Sequence, residues 1–269
     1  VNLRQMLNWF EDKPLFGKGV VITRPETQSE AFAELLHEQG ARVIHFPTIR
    51  IAPPQSWNKL DEALEELASF QWIIFTSANG VRHFFLRLRE KGKDIRDLRN
   101  IRICTIGPAT ADAVEALGIR VDLVPETFIS EGVVRAFEKI DIRGSNILLP
   151  RAEVARDVIP RGLEKLGAGV RIADAYRTIS ADTDKTEFIS LLKEDKVDVI
   201  TFTSPSTVKG FLDIMGGDFA LPERVRIAAI GPITADAAKK AGLRIDIVQD
   251  QYTIPGLVSS LINYYKRNK

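Results

Sequence analysis

The chain repeats itself. A shift of 127 carries Arg24 onto Arg151, Gly40-Ala41 onto Gly167-Ala168, Val43 onto Val170, Phe75-Thr76-Ser77 onto Phe202-Thr203-Ser204 and Val81 onto Val208. Three residues are then lost, and a shift of 124 carries Ile106-Gly107-Pro108 onto Ile230-Gly231-Pro232 and Thr110-Ala111-Asp112-Ala113 onto Thr234-Ala235-Asp236-Ala237. The same shift takes Gly118, Arg120, Asp122 and Val124 to Gly242, Arg244, Asp246 and Val248. A unit of about 125 residues used twice in a 269-residue chain is too long for a solenoid period and suits a pair of domains.

Within each copy, short apolar runs alternate with amphipathic stretches. Gly19–Thr23, Arg42–Phe46, Trp72–Phe75, Ile101–Ile106 and Arg120–Val124 read as buried parallel strands. Ile147–Leu149, Val170–Ala173, Val197–Phe202, Val225–Ile230 and Arg244–Val248 repeat the set. Helical patterns fall over Ser29–Gln39, Leu60–Ala68, Asn79–Lys91, Ala109–Leu117, Arg156–Leu166 and Thr183–Glu194, with Gly40, Gly118, Gly167 and Gly242 as left-handed stops. This alternation predicts open α/β sheets with right-handed crossovers. Phe46–Ile51, followed by Pro53-Pro54, and Ala175–Ile179 occupy equal places in the repeat and alternate apolar with polar residues, so they are expected to be exposed extended connectors.

Hydroxyl-bearing residues gather where strands turn into helices. Phe75-Thr76-Ser77-Ala78-Asn79-Gly80, Phe202-Thr203-Ser204-Pro205-Ser206-Thr207, Ile106-Gly107-Pro108-Ala109-Thr110 and Ile230-Gly231-Pro232-Ile233-Thr234 each begin a helix. Such turns present free backbone N–H groups and the positive end of a helix dipole, which suits an anion. For any one turn, plain N-capping is the competing reading. Their recurrence at the carboxyl ends of strands points to a ligand crevice. Arg24 and Arg151 each follow the first strand of a copy, either as forks for carboxylate or phosphate or as surface arginines closing a loop. Tyr176 lies in the second connector and is expected to be exposed toward a cleft between domains, or else to pack the connector.

The remaining composition narrows the chemistry. Thirty-seven Lys and Arg against 36 Asp and Glu leave a net charge of +1, without the basic excess of a nucleic-acid binder. No apolar run is long enough to span a bilayer, and no signal peptide opens the chain. The single Cys104 and the scattered His37, His45 and His83 give neither an internal disulfide nor zinc spacing, so a soluble, cytoplasmic protein is expected, with Cys104 an inert core thiol. A dinucleotide fingerprint, a P-loop, a nucleophile elbow and a histidine-paired nucleophile are all missing.

Val21-Ile22-Thr23-Arg24-Pro25, Phe75–Val81, Ile106–Ala111, Ala175-Tyr176-Arg177-Thr178, Phe202–Ser206 and Ile230–Ala235, taken in order, resemble uroporphyrinogen-III synthase. The resemblance spans residues 18–265 and implies two similar flavodoxin-like parallel-sheet domains joined by a two-stranded antiparallel linker. Residues 18–47 with 181–269 would form one discontinuous domain, 54–173 the other, and 48–53 and 174–180 the linker strands. The implied reaction cyclises linear hydroxymethylbilane to uroporphyrinogen III with loss of water and inversion of the terminal pyrrole ring, with no metal and no cofactor. Tyr176 would donate a proton to the departing hydroxyl. Ser77, Ala78, Asn79, Gly107, Thr110, Ser204, Pro205, Ser206, Gly231 and Thr234 would grip the substrate's acetate and propionate arms, with Arg24 and Arg151 as supporting charges. A monomer acting on a small linear tetrapyrrole is expected, with neither nucleic acid nor membrane as partner. Residues 1–17 fall outside the repeat, with a helix-like Leu3–Phe10, and resemble the segment joining a methyltransferase to this synthase in fused proteins. The partner to expect is therefore a fused or cooperating methyltransferase, or the preceding bilane synthase. The rival reading is a non-catalytic, two-lobed binding protein for a small polyanion.

Overall fold

The computed structural model describes residues 11–216, 219–249 and 251–267. The expected helix over Leu3–Phe10 lies outside the described residues. The strands are β1 (Gly19–Ile22), β2 (Arg42–His45), β3 (Ile49–Ala52), β4 (Trp72–Phe75), β5 (Arg102–Thr105), β6 (Asn146–Ala152), β7 (Gly169–Ser180), β8 (Val199–Phe202), β9 (Arg226–Ala229) and β10 (Ile247–Val248). The helices are α1 (Glu30–Glu38), α2 (Asn58–Glu65), α3 (Ala78–Glu90), α4 (Pro108–Glu115), α5 (Ser130–Phe137), α6 (Val158–Lys165), α7 (Thr186–Lys193), α8 (Pro205–Met215), α9 (Pro232–Lys240) and α10 (Ile254–Arg267).

The chain divides into two compact units, one made of the residues up to Arg50 with those from Ile179 onward, the other of Ile51–Thr178. The first unit holds a sheet in the order β10-β9-β8-β1-β2, parallel at every pairing. The second is built on the order β3-β7-β6-β4-β5, with β7, β6, β4 and β5 mutually parallel. The repeat explains the likeness. Strands β1, β2, β8 and β9 correspond to β6, β7, β4 and β5, so each sheet takes its first two strands from one copy and the next two from the other. The chain crosses from the first unit into the second within β3 and returns within β7.

Central strands are buried on both faces, which is why they read as unbroken apolar runs. Gly19–Ile22, Trp72–Phe75 and Val199–Phe202 are buried at every position. Each sheet separates two apolar clusters. In the first unit Val20, Phe32 and Leu36 pack on one face and Val21, Phe46, Phe188 and Phe211 on the other. In the second, Phe75, Phe84 and Phe85 oppose Trp72, Ile74 and Phe137. Leu15, ahead of the repeat, is fully buried with Phe32 and Leu36 and donates its N–H to Gln39, so this part of the leading segment belongs to the first core. Gly118 and Gly242 hold φ of 76° and 83°, the left-handed stop expected after their helices.

Three local expectations are corrected. Arg120–Val124 is not a strand; only a parallel bridge, Cys104 to Leu123, remains there. The Asp122 carboxylate takes the Ile103 N–H that a longer ladder would use, and Asp246 does the same to Ile227 beside the two-residue β10. Ala175–Ile179 is not a free-standing exposed segment but part of one 12-residue strand, β7, within which the chain passes back into the first unit. Tyr176 is buried at 8% exposure rather than exposed, packed among the apolar residues of the second unit.

Candidate active site

In the second unit, β4 ends at Phe75 and Ser77 turns the chain into α3 as its N-cap, with φ and ψ of −167° and 154°. Ser77 Oγ accepts the Gly80 N–H at 3.0 Å and lies 2.9 Å from the Tyr176 hydroxyl. Ser77, Gly80 and His83 follow one another at helical spacing on α3 beneath the same tyrosine. The His83 ring stacks on that of Tyr176 with centroids 5.9 Å apart and planes 21° from parallel. Burial pushes the Tyr176 phenol above its ordinary value, and the Ser77 hydrogen bond pulls it back in part. Burial, then the charge of Arg82, holds His83 below the usual imidazole value, favouring the neutral ring.

Strand β6 ends beside β4 and carries Arg151, which is buried at 8% exposure and so is no surface arginine. Its guanidinium donates to the Arg156 carbonyl at 3.1 Å and pairs with Asp157 at 2.8 Å, while its buried Nε–H has no partner. The loop-closing role weighed from sequence is therefore present, in a buried form. The Arg151 hydrogen bond pulls the Asp157 carboxyl below the ordinary carboxylate range.

The first unit arranges its counterparts the same way. Ser204 caps α8, accepting the Thr207 N–H at 3.2 Å in a reciprocal capping box, with Pro205 and Ser206 exposed in the first turn. Arg24 follows β1, the neighbour of β8; its partly buried guanidinium reaches Gln28 at 3.5 Å, and burial lowers its pKa from the ordinary value. For Ser77 and Ser204, then, plain capping is real: each hydroxyl spends an acceptor position on its own helix.

The corners after β5 and β9 differ. Gly107 and Gly231 cap α4 and α9 with no side chain to satisfy the first-turn N–H groups, and Pro108 and Pro232 follow. Thr110 and Thr234 sit in those first turns, buried at 5% and 3%. A large ring stands over each glycine: Phe128 over Gly107 and Tyr252 over Gly231. Reading the sequence for hydroxyls and charges passed over both rings. The signal was there, because the shift of 124 runs on from Gly118/Gly242 to Phe128/Tyr252 and Gly132/Gly256.

The model of the family described as uroporphyrinogen-III synthase HemD matches residues 30–259. This chain is a member of the uroporphyrinogen-III synthase family. It is an enzyme, the cyclising synthase that forms uroporphyrinogen III in tetrapyrrole biosynthesis, which fits a small-molecule tetrapyrrole substrate. It is 33% identical over 256 residues to the uroporphyrinogen-III synthase of Synechococcus elongatus, covering 93% of this chain and 96% of that one. It is also 33% identical to the porphyrin biosynthesis protein HemD of Ruminiclostridium josui, covering 97% of this chain but 51% of that longer one. A crystal structure of a mutant uroporphyrinogen III synthase from Thermus thermophilus shares the fold at a TM-score of 0.64 and 18% identity, covering 94% of this chain and 100% of that one.

Among the described residues of this synthase, no group of three or more His, Cys, Asp and Glu is placed to hold a metal ion. No described helix is long and apolar enough to cross a membrane. Cys104 is buried in mid-β5, and burial pushes its thiol up to about 12, so at neutral pH it is inert.

Proposed function

We propose that Tyr176 delivers the proton that carries away the terminal hydroxyl of hydroxymethylbilane, and that Ser77 holds it in place to do so. The observation that carries this is the 2.9 Å contact between the two hydroxyls. Ser77 Oγ already accepts from Gly80, and its own proton is available to the Tyr176 oxygen. Tyr176 is then left with its O–H free for substrate. As the hydroxymethyl C–O bond breaks, electrons from the pyrrole nitrogen replace those leaving with oxygen. The Tyr176 proton completes the departing water, and the Ser77 O–H steadies the phenolate. The proton released on ring closure restores the phenol.

General-acid help of this kind is worth about 10²–10⁴-fold. Uncatalysed closure gives the uninverted isomer, so the larger task is conformational: to hold the chain where inversion wins. The substrate's four acetate and four propionate arms require several anion contacts, and the helix starts supply them. Ala78 and Asn79 at α3, Gly107 and Thr110 at α4, Pro205 and Ser206 at α8, and Gly231 and Thr234 at α9 are the proposed grips. Ser204 shapes its corner by capping. Arg24 and Arg151 add positive charge beside two of the corners, Arg151 indirectly because Asp157 already engages it. The first unit runs β2-β1-β8-β9-β10, a 2-1-3-4-5 order by chain position, and β7-β6-β4-β5 of the second repeats its first four places. This supports a flavodoxin-like reading in which ligands meet the carboxyl ends of strands where the order reverses. Arg24 and Ser204 flank that point in one unit, Arg151 and Ser77 in the other.

The test is incubation of the wild type and Tyr176→Phe with freshly made hydroxymethylbilane, oxidation, and separation of type I from type III product. Wild type is expected to give type III, and Tyr176→Phe to give type III at least tenfold more slowly with folding unchanged. An unchanged rate removes Tyr176 from the reaction.

A further inference from the structure

The rings of Phe128 and Tyr252 have no part in the chemistry above, yet they hold one position in the repeat, 124 residues apart. Each leans on the glycine that opens a helix. A Cβ built on Gly107 would lie 3.0 Å from Phe128 Cβ, and one on Gly231 would lie 2.6 Å from Tyr252 Cδ1. Both glycines have extended backbones, with φ of −178° and 175°, which any residue could adopt. At Gly231 it is the ring, not the backbone, that a side chain would run into, and at Gly107 Phe128 stands close enough to crowd one.

A ring whose only task was to cover a helix cap would be buried against it. These are not: Phe128 is 38% exposed and Tyr252 is 44% exposed. Apolar surface left in water forgoes the stabilisation that burial would give. Tyr252 also holds φ at 54°, an uncommon left-handed conformation for a bulky residue. Two partly exposed aromatic faces, matched by the repeat and set at the carboxyl ends of β5 and β9, suit a flat, electron-rich ring. A linear tetrapyrrole is a chain of such rings.

We propose that Phe128 and Tyr252 are substrate-positioning residues of the synthase, each offering an aromatic face to one pyrrole ring of the bilane. This rests on the family's reaction. It goes beyond the residues assigned above because it gives the pyrrole rings, as well as the carboxylate arms, their own contacts.

The experiment measures kcat and KM for hydroxymethylbilane in Phe128→Ala, Phe128→Leu, Phe128→Tyr, Tyr252→Ala, Tyr252→Leu and Tyr252→Phe, with thermal midpoints alongside. Equilibrium binding of uroporphyrin III, the stable oxidised form of the product, is titrated for each by porphyrin fluorescence. Each alanine or leucine variant should raise KM and weaken uroporphyrin binding roughly tenfold, the scale of one aromatic contact, with kcat within about twofold. Phe128→Tyr and Tyr252→Phe should stay near wild type. Leucine variants at wild-type KM, or alanine variants that lose only thermal stability, would overturn the proposal. If instead the wild type releases only type I product, the reading of the reaction itself has failed.

Discussion

The Tyr176 hydroxyl rests 2.9 Å from Ser77 Oγ, an atom that also caps α3 through the Gly80 N–H. One side chain thus caps a helix and, in the proposed reaction, also serves Tyr176, and the two tasks can be separated. Ser77→Ala removes the cap, which costs about 1 kcal/mol, and removes the donor to Tyr176. In the wild-type background kcat should fall about tenfold and the thermal midpoint by a few degrees. In a Tyr176→Phe background the midpoint should fall again, while kcat should not. Steady-state kinetics and thermal melts of the four proteins in this cycle decide it.

Burial holds the Tyr176 proton on the phenol above the ordinary titration range of tyrosine, near pH 10. The acid form therefore persists through neutral and mildly alkaline pH. The rate of type III formation should show no loss between pH 7 and 9 that vanishes in Tyr176→Phe. A fall centred in that interval, present in the wild type and absent from the variant, would mean that the Ser77 hydrogen bond outweighs burial.

His83, stacked on Tyr176, titrates in the opposite sense. Its folded pKa is depressed, first by burial and then by Arg82, so the folded state binds this proton less readily than the unfolded chain. The stability it contributes is present above the unfolded value near 6.5 and is lost as pH falls through the lower folded value. The urea midpoint should drop between pH 7 and pH 5, and by less in His83→Phe, which keeps a ring against Tyr176. An equal drop in both proteins would place the acid sensitivity elsewhere.

What could be read from the sequence follows from what each residue answers to. Trp72–Phe75 was legible because a central parallel strand is apolar throughout, and Cys104 because a lone thiol in such a run has nowhere to go but the core. Residues Arg120–Val124 carry the same local signal, but Asp122 turns its carboxylate onto a backbone N–H in β5, a contact 19 residues away that periodicity does not register. For Tyr176 the sequence leaves two environments open, exposed or packed, and the fold takes the packed one. An alternating pattern shows that one face is polar, and cannot show that α3 with Gly80 and His83 lies over the other. Phe128 and Tyr252 were hidden for another reason: a large apolar residue reads as core by default, and only its exposure in the fold makes it notable.

Two glycines separate close packing from backbone conformation as reasons for having no side chain. Gly210, within α8, faces the backbone of Thr48, and a Cβ there would run into the Thr48 carbonyl oxygen. Thr48 cannot yield cheaply. It is fully buried, its N–H donates to the Thr23 carbonyl at 3.0 Å, and its hydroxyl lies 2.9 Å from the Thr207 carbonyl of α8. Gly118 has nothing within 4 Å of its missing Cβ but holds φ at 76°, so a side chain there pays only for the left-handed conformation. Gly118→Ala should cost about 1–2 kcal/mol. Gly210→Ala should cost more, with overpacking at about 1–3 kcal/mol added to any loss of the Thr48 contacts at about 1–3 kcal/mol. Thr48→Val should show that second loss alone. Urea unfolding of the three variants should rank Gly210→Ala as the least stable. A Gly210→Ala protein no less stable than Gly118→Ala would mean that α8 can draw back from Thr48 at little cost.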